Sequence, residues 1–159
     1  MQERKQRRKL EKLAALEQLR SFCAYQDRCH KEVRTRLLEY QVYGDDLEQV
    51  IAELITDDFL NEERFARSYV RGKFRIKKWG RGKIRQELKF RQISDYLIKK
   101  GMTEIDDQEY FATLEEVIQK KLRTVREPDP FKKRKKLTDY AASRGFEYAI
   151  IKEVLDDLL

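Results

Sequence analysis

The sequence predicts an all-α protein built from three tandem three-helix repeats that form an elongated, curved array. Helix-forming residues dominate the 159-residue chain, which holds only two prolines and six glycines. No segment shows the alternation of apolar and polar residues that is typical of a strand. An apolar pattern also recurs three times at a period of about 50 residues, which is within the range of helical repeat proteins.

The recurring pattern comprises six apolar positions in each block. They are Val33, Leu37, Val42, Leu47, Ile51 and Leu54; then Ile84, Leu88, Ile93, Ile98, Met102 and Ile105; then Leu137, Ala141, Phe146, Ile151, Leu155 and Leu158. Five-residue steps in the middle of each block carry the register across a turn. Each block therefore reads as two helices, and a longer helix precedes each pair.

These patterns give approximate boundaries for nine helices. The long helices are expected at residues 8–26, 61–79 and 107–126, and the pairs at 29–41 with 46–56, 81–91 with 94–105, and 130–144 with 147–158. The predicted repeats cover residues 1–60, with a basic first helix, 61–106, a basic central repeat, and 107–159.

Local signals mark several of these boundaries. Two pairs have capping-box spacing, namely Asp45 with Glu48 and Asp106 with Glu109. Asp129 is a capping residue before a proline at the first helical position. Gly145 is expected to stop the helix before it, because glycine readily adopts the left-handed conformation.

The composition suggests a soluble, reduced, cytoplasmic protein with a polyanionic or acidic partner. The net charge is +7, which favours nucleic acid or another acidic surface. No stretch approaches the roughly 20 apolar residues that span a membrane, and the N-terminus lacks the apolar core of a signal peptide. The two cysteines indicate no disulfide framework.

The residues predict no catalytic site, no metal site and no cofactor. His30 stands beside Cys29, and Cys23 lies six residues earlier, but a structural zinc site needs four ligands. No glycine-rich phosphate loop or hydrolase motif occurs, and the carboxylates are scattered on helix surfaces. A non-enzymatic binding protein is therefore expected.

The positive charge is concentrated in the middle of the chain. Residues 64–91 hold twelve basic residues and one acidic residue, whereas residues 45–63 hold eight acidic residues and no basic one. A second basic stretch runs from Lys120 to Lys136. Five cations of the central helix fall within about 80° of one another on a helical projection. This basic stripe consists of Arg64, Arg67, Arg71, Arg75 and Lys78.

The basic stripe predicts a binding surface, because like charges on one face repel one another unless an anion is bound. Its members should point away from the core, which Phe65, Tyr69 and Ile76 should face, and should matter little to stability. The candidate binding residues are Arg64, Arg67, Arg71, Lys73, Arg75, Lys77, Lys78, Arg81, Lys83, Arg85 and Lys89. Gly80 and Gly82 suggest a flexible basic corner, and Trp79 is a candidate for stacking on a base.

The segment Phe74–Leu88, FRIKKWGRGKIRQEL, resembles the central signature of the RecX family of bacterial recombination regulators. In that family a helix rich in Lys and Arg leads to G-x-x-[KR]-I-x-x-E-L. The run Asp57–Ala66 and the later Arg144-Gly145-Phe146 also resemble family features, and the likeness covers about residues 10–159. One departure is Gln92 before Ile93, where the family usually has glycine. A non-glycine residue argues against a left-handed cap there.

The resemblance implies a three-repeat helical modulator of the RecA recombinase that is involved in recombination, DNA repair and the SOS response. Such a protein lodges in the groove of the RecA–DNA filament and inhibits ATP hydrolysis and strand exchange. The implied partners are the RecA filament and, weakly and without sequence preference, single- and double-stranded DNA. A monomer without a membrane association is expected.

Two other functions are compatible with a basic helical chain. An autonomous DNA-binding protein, such as a repressor, would present one helix of a three-helix unit to the major groove. It would give a sequence-specific footprint, which a filament modulator would not. A scaffold for acidic proteins would not bind DNA at all.

Overall fold

Nine α-helices and no strands form the protein, in a computed structural model that describes every residue from Met1 to Leu159. The helices are α1 (Gln2–Tyr25), α2 (His30–Glu39), α3 (Gly44–Thr56), α4 (Glu62–Arg75), α5 (Arg81–Phe90), α6 (Asp95–Met102), α7 (Asp107–Leu122), α8 (Pro130–Ser143) and α9 (Tyr148–Leu158). The predicted fold class is confirmed, with one long helix before each helix pair.

The chain contains two compact units, and the division falls inside α4. One unit comprises residues 1–65 and 91–93, and the other comprises residues 66–90 and 94–159. In the first unit, α1, α2 and α3 pack around a core that includes Leu19, Leu37 and Leu54. In the second unit, α7 packs on α8 and α9, and α5 packs on α6. The boundaries of the three predicted repeats stay predictions.

The repeated apolar positions form the cores of these units. All of them are buried except Met102 and Leu158, which are half-buried. Leu37, Leu88 and Ala141, which the pattern treats as equivalent, each have 0% of their surface exposed. The threefold pattern therefore reports burial correctly along the whole chain.

The same turn follows α2, α5 and α8. Each has one residue in the left-handed region, with φ of 61° at Gln41, 61° at Gln92 and 100° at Gly145. The expectation that Gln92 lacks this conformation is wrong. A non-glycine residue there costs about 1–2 kcal/mol, whereas burying the next apolar side chain, Ile93, contributes about 1.5–3 kcal/mol.

Several helix ends differ from the prediction. Helix α4 ends at Arg75 rather than at residue 79, so Lys78 lies outside it with a φ of 56°. Ile76 is 78% exposed and does not belong to the core. The N-caps Asp106 and Asp129 are confirmed, since each accepts a backbone N–H. Asp45 is not a cap, because α3 already begins at Gly44.

The burial pattern predicts opposite costs for two adjacent leucines of α2. Leu37→Ala should lower the free energy of unfolding by about 2–5 kcal/mol, because the side chain is fully buried. Leu38→Ala removes the same atoms at a site that is 50% exposed, and should change stability by less than about 1 kcal/mol. Urea denaturation followed by circular dichroism measures both, and equal losses would contradict the core assignment.

Candidate interaction surface

The segment between α4 and α5 lies directly against the end of α8. The Gly80 N–H donates to the carbonyl of Arg144 at 2.8 Å, and the Gly82 N–H donates to the carbonyl of Gly145 at 2.9 Å. A Cβ atom added to Gly80 would lie only 2.4 Å from the carbonyl carbon of Gly145. This glycine junction (Gly80, Gly82 and Gly145) is therefore a close backbone contact. The expectation of a flexible corner is wrong.

Arg81 is held by the fold beside the glycine junction. Its backbone N–H donates to the hydroxyl of the fully buried Tyr110 at 3.0 Å, and that hydroxyl donates to Oε1 of Glu147 at 2.5 Å. Its guanidinium pairs with Asp107 at 2.7 Å and Glu147 at 3.2 Å, and lies 3.9 Å from the Tyr110 ring centroid. Burial, together with the hydrogen bond to Glu147, raises the pKa of Tyr110. Arg81 is thus a structural residue.

Every member of the basic stripe has a carboxylate partner. The pairs are Arg64 with Asp27 (2.7 Å), Arg67 and Arg71 with Glu104 (3.2 Å each), Arg75 with Glu109 (3.8 Å) and Lys78 with Glu116 (3.2 Å). The premise that the stripe is a row of like charges without anions beside it is therefore wrong, because each of its cations already faces a carboxylate of the fold. A projection of one helix does not show what a neighbouring helix places opposite it.

The sequence contains a signal for the carboxylates that pair with the basic stripe. Residues 101–119 contain six acidic residues and no basic one, which is complementary to the basic run at 64–91. The pairing of two oppositely charged runs predicts that their helices pack together. The specific partners, and Tyr110 with Glu147, emerge only from the packing.

Glu104 pairs with two members of the basic stripe, whereas each of the other carboxylates pairs with one. It lies between the guanidinium groups of Arg67 and Arg71, and its side chain is 24% exposed. Partial burial raises the pKa of this carboxyl, but hydrogen bonds from both arginines outweigh that effect and the net pKa is lowered. Glu104 therefore stays ionised to a lower pH than a glutamate without these partners.

A smaller set of the candidate cations forms no ion pair. It consists of Lys73, Lys77, Lys83 and Arg85. The Nζ atoms of Lys73 and Lys83 lie 4.9 and 4.5 Å from the ring centroid of Trp79. Lys89 has only a long contact to Asp95, at 3.8 Å. We define the unpaired cluster as Lys73, Lys77, Trp79, Lys83 and Arg85. It groups the two lysines at the half-buried Trp79 ring with Lys77 and Arg85, which are near in sequence, exposed and without a carboxylate partner.

The residues considered for a metal site serve local contacts instead. His30 Nδ1 is 3.7 Å from Glu62 Oε1, and the Cys29 thiol donates to Glu32 at 3.2 Å. Burial raises the pKa of Cys29 to about 11. No group of three or more His, Cys, Asp or Glu side chains is arranged to hold a metal ion. None of the helices is long and apolar enough to cross a membrane.

Comparison with known proteins extends the likeness seen in the sequence. Residues 61–102 match the family model for the second three-helix domain of RecX, and residues 107–155 match that for the third. The chain belongs to the RecX family. The glycine junction joins these two domains, since Gly80 and Gly82 lie in the second and Gly145 in the third.

Two curated relatives are named Regulatory protein RecX. The one from Clostridium acetobutylicum is 32% identical over 87% of this chain and 65% of its own length. The one from Prosthecochloris aestuarii is 28% identical over 91% of this chain and 93% of its own length. The chain spans only about half of some other relatives, such as 52% of the Streptococcus uberis protein.

A solved structure shows the same fold. The crystal structure of RecX from Lactobacillus salivarius matches with a TM-score of 0.84, covering 93% of this chain and 96% of its own, at 22% sequence identity. The helix order is therefore shared at low sequence identity.

The glycine junction predicts opposite effects for two glycine-to-alanine changes. Gly80→Ala should lower the free energy of unfolding by about 1–3 kcal/mol, because its methyl group would overlap the backbone of Gly145. Gly72→Ala, within α4, meets nothing within 4 Å and should raise stability by about 0.5–1 kcal/mol. Thermal and urea unfolding test the pair. A Gly80→Ala protein as stable as the wild type would refute the close approach.

Glu104 predicts a dependence of stability on pH. The pKa of Glu104 is lower in the folded than in the unfolded protein. Its contribution to the free energy of unfolding is therefore fully present above the ordinary pKa of 4.5. The contribution is lost as the pH falls from there through the folded-state pKa. Glu104→Gln should cost about 1 kcal/mol at pH 7 and much less at strongly acidic pH.

Glu153→Gln provides the control, because this exposed carboxylate has no ion-pair partner. Urea unfolding of both variants from pH 7 to pH 3 measures the effect. A constant stability difference between Glu104→Gln and the wild type across this range would contradict the prediction.

Proposed function

We propose that this protein is a non-enzymatic, inhibitory regulator of the RecA recombinase that acts in the groove of the RecA–DNA filament. It works in the cytoplasm as a monomer, in recombination, DNA repair and the SOS response. Membership of the RecX family and the relatives named as regulatory proteins support the proposal. The absence of a recognisable catalytic motif in the sequence is consistent with a non-enzymatic role.

The observation that carries the proposal is the unpaired cluster. Most of the basic residues around it are neutralised by carboxylates, so they add little to the field that a partner meets. The cations of the unpaired cluster have no carboxylate beside them, so they can pair with a partner of opposite sign. They are Lys73, Lys77, Lys83 and Arg85. A filament that displays DNA phosphates and acidic protein surface offers such a partner.

The cluster suits weak DNA binding without sequence preference. Lysine ammonium groups and an exposed arginine neutralise phosphates without reading base edges. Trp79 already contacts two cations, so base stacking would require Lys73 or Lys83 to move from the ring. We therefore assign Trp79 first to positioning the lysines and only second to stacking.

The proposal predicts that reversing the unpaired charges abolishes inhibition. A Lys77→Glu, Lys83→Glu, Arg85→Glu protein should keep a melting temperature close to that of the wild type, because none of these side chains has a carboxylate partner. It should no longer inhibit RecA-dependent ATP hydrolysis on single-stranded DNA. Reversing Arg71, Arg75 and Lys78 would be a poorer test, since new carboxylates would face Glu104, Glu109 and Glu116.

The matched control reverses three lysines that also lack ion pairs but lie elsewhere, Lys9, Lys99 and Lys132. It carries the same net charge and should inhibit nearly as well as the wild type. Full inhibition by the cluster variant would exclude the cluster as the interaction surface. A sequence-specific DNA footprint, with no effect on RecA, would favour the autonomous DNA-binding function.

A further inference from the structure

A cavity of about 340 Å³ opens between α7 and α8, outside the unpaired cluster. Its lining residues are Lys78, Glu116, Val117, Lys120, Lys121, Thr124, Tyr140 and Arg144. Ligand pockets in proteins have volumes of about 300–1,000 Å³, so this one is large enough for a small group. Four of its lining residues are cationic and one is acidic.

The charges around this cavity do not balance. Four cations and one carboxylate line it, and Lys78 already pairs with Glu116 at 3.2 Å. Lys120, Lys121 and Arg144 have no carboxylate partner. Three like charges that share one cavity repel one another, and an anion bound among them would convert that repulsion into attraction.

Two of the three cations are held in place by the fold. The Nζ atom of Lys121 lies 4.7 Å, and the Cζ atom of Arg144 lies 5.8 Å, from the ring centroid of Tyr140. Arg144 also donates a hydrogen bond to the carbonyl of Lys77, and its Nε is buried without a hydrogen-bond partner. Because these side chains are already ordered, a ligand loses less free energy in fixing them.

We propose that this phosphate cavity (Lys120, Lys121, Tyr140 and Arg144) binds a phosphate group of a single-stranded nucleic acid or a free nucleotide. A phosphodiester carries one negative charge and a terminal phosphate carries nearly two, and each offers at least two unbridged acceptor oxygens, so either can engage an arginine and two lysines together. The volume leaves room for the attached sugar. The site does not depend on RecA. Its lining shares no side chain with the unpaired cluster, although Arg144 donates a hydrogen bond to the backbone carbonyl of Lys77.

The first experiment measures DNA binding by the whole protein without RecA. Fluorescence anisotropy with a labelled oligothymidylate compares the wild type, Lys120→Glu with Lys121→Glu, and the charge-matched control Lys99→Glu with Lys132→Glu. The cavity variant should bind at least about tenfold more weakly. Its log–log salt slope should be smaller by about 0.7, since the cavity holds one phosphate and each phosphate contact contributes about 0.7 on single strands. Equal weakening in both variants, or none in the cavity variant, would overturn the proposal.

The second experiment distinguishes the sources of the phosphate. Inorganic phosphate and thymidine 5′-monophosphate are added to the wild type and to Lys120→Gln with Lys121→Gln at matched ionic strength. A rise in melting temperature that the variant lacks shows that the cavity binds the added inorganic phosphate or mononucleotide. If neither small molecule raises the melting temperature, but the cavity variant binds the oligonucleotide more weakly than the control variant does, the ligand is the nucleic-acid polymer. If that weaker binding is also absent, the proposal is wrong.

Discussion

The rest of the second unit depends on the backbone contact between the start of α5 and the end of α8. The first N–H groups and the last carbonyls of a helix have no partner within it. At the glycine junction, N–H groups at the start of α5 donate instead to carbonyls of the two residues that follow α8, Gly80 to Arg144 and Gly82 to Gly145. The positive end of the α5 dipole then faces the negative end of the α8 dipole, which is favourable. Only residues without a Cβ allow this approach, so the signature glycines have a structural cause.

Charge has two separate roles in this protein. Five of the twelve cations in the basic run at 64–91 pair with carboxylates of the acidic run at 101–119, so that much of the apparent positive charge is used within the fold. The charge available to a partner is carried by the residues left over, in the unpaired cluster and around the phosphate cavity. Net charge therefore predicts the sign of the partner, and ion pairing determines which cations remain available to it.

The sequence allowed the fold to be predicted more fully than the site. Apolar spacing is set by burial, so Leu37, Leu88 and Ala141 could be recognised as core residues without coordinates. The end of α4 could not be predicted from the sequence, because no proline or glycine directly follows its last residue, Arg75. Arg71 and Lys77 look alike in the sequence, yet only Arg71 meets a carboxylate. That difference depends on distances between helices, which a single-helix pattern does not contain.

Trp79 has a further consequence, because it is the single tryptophan in the chain. Its indole lies within 5 Å of two ammonium groups, measured from the ring centroid. Indole emission is sensitive to nearby charge, so an anion that draws Lys73 or Lys83 away should alter its intensity and wavelength. The protein thus contains its own optical reporter at the surface that we assign to regulation. Occupancy of that surface can be followed by intrinsic fluorescence, without attaching a dye.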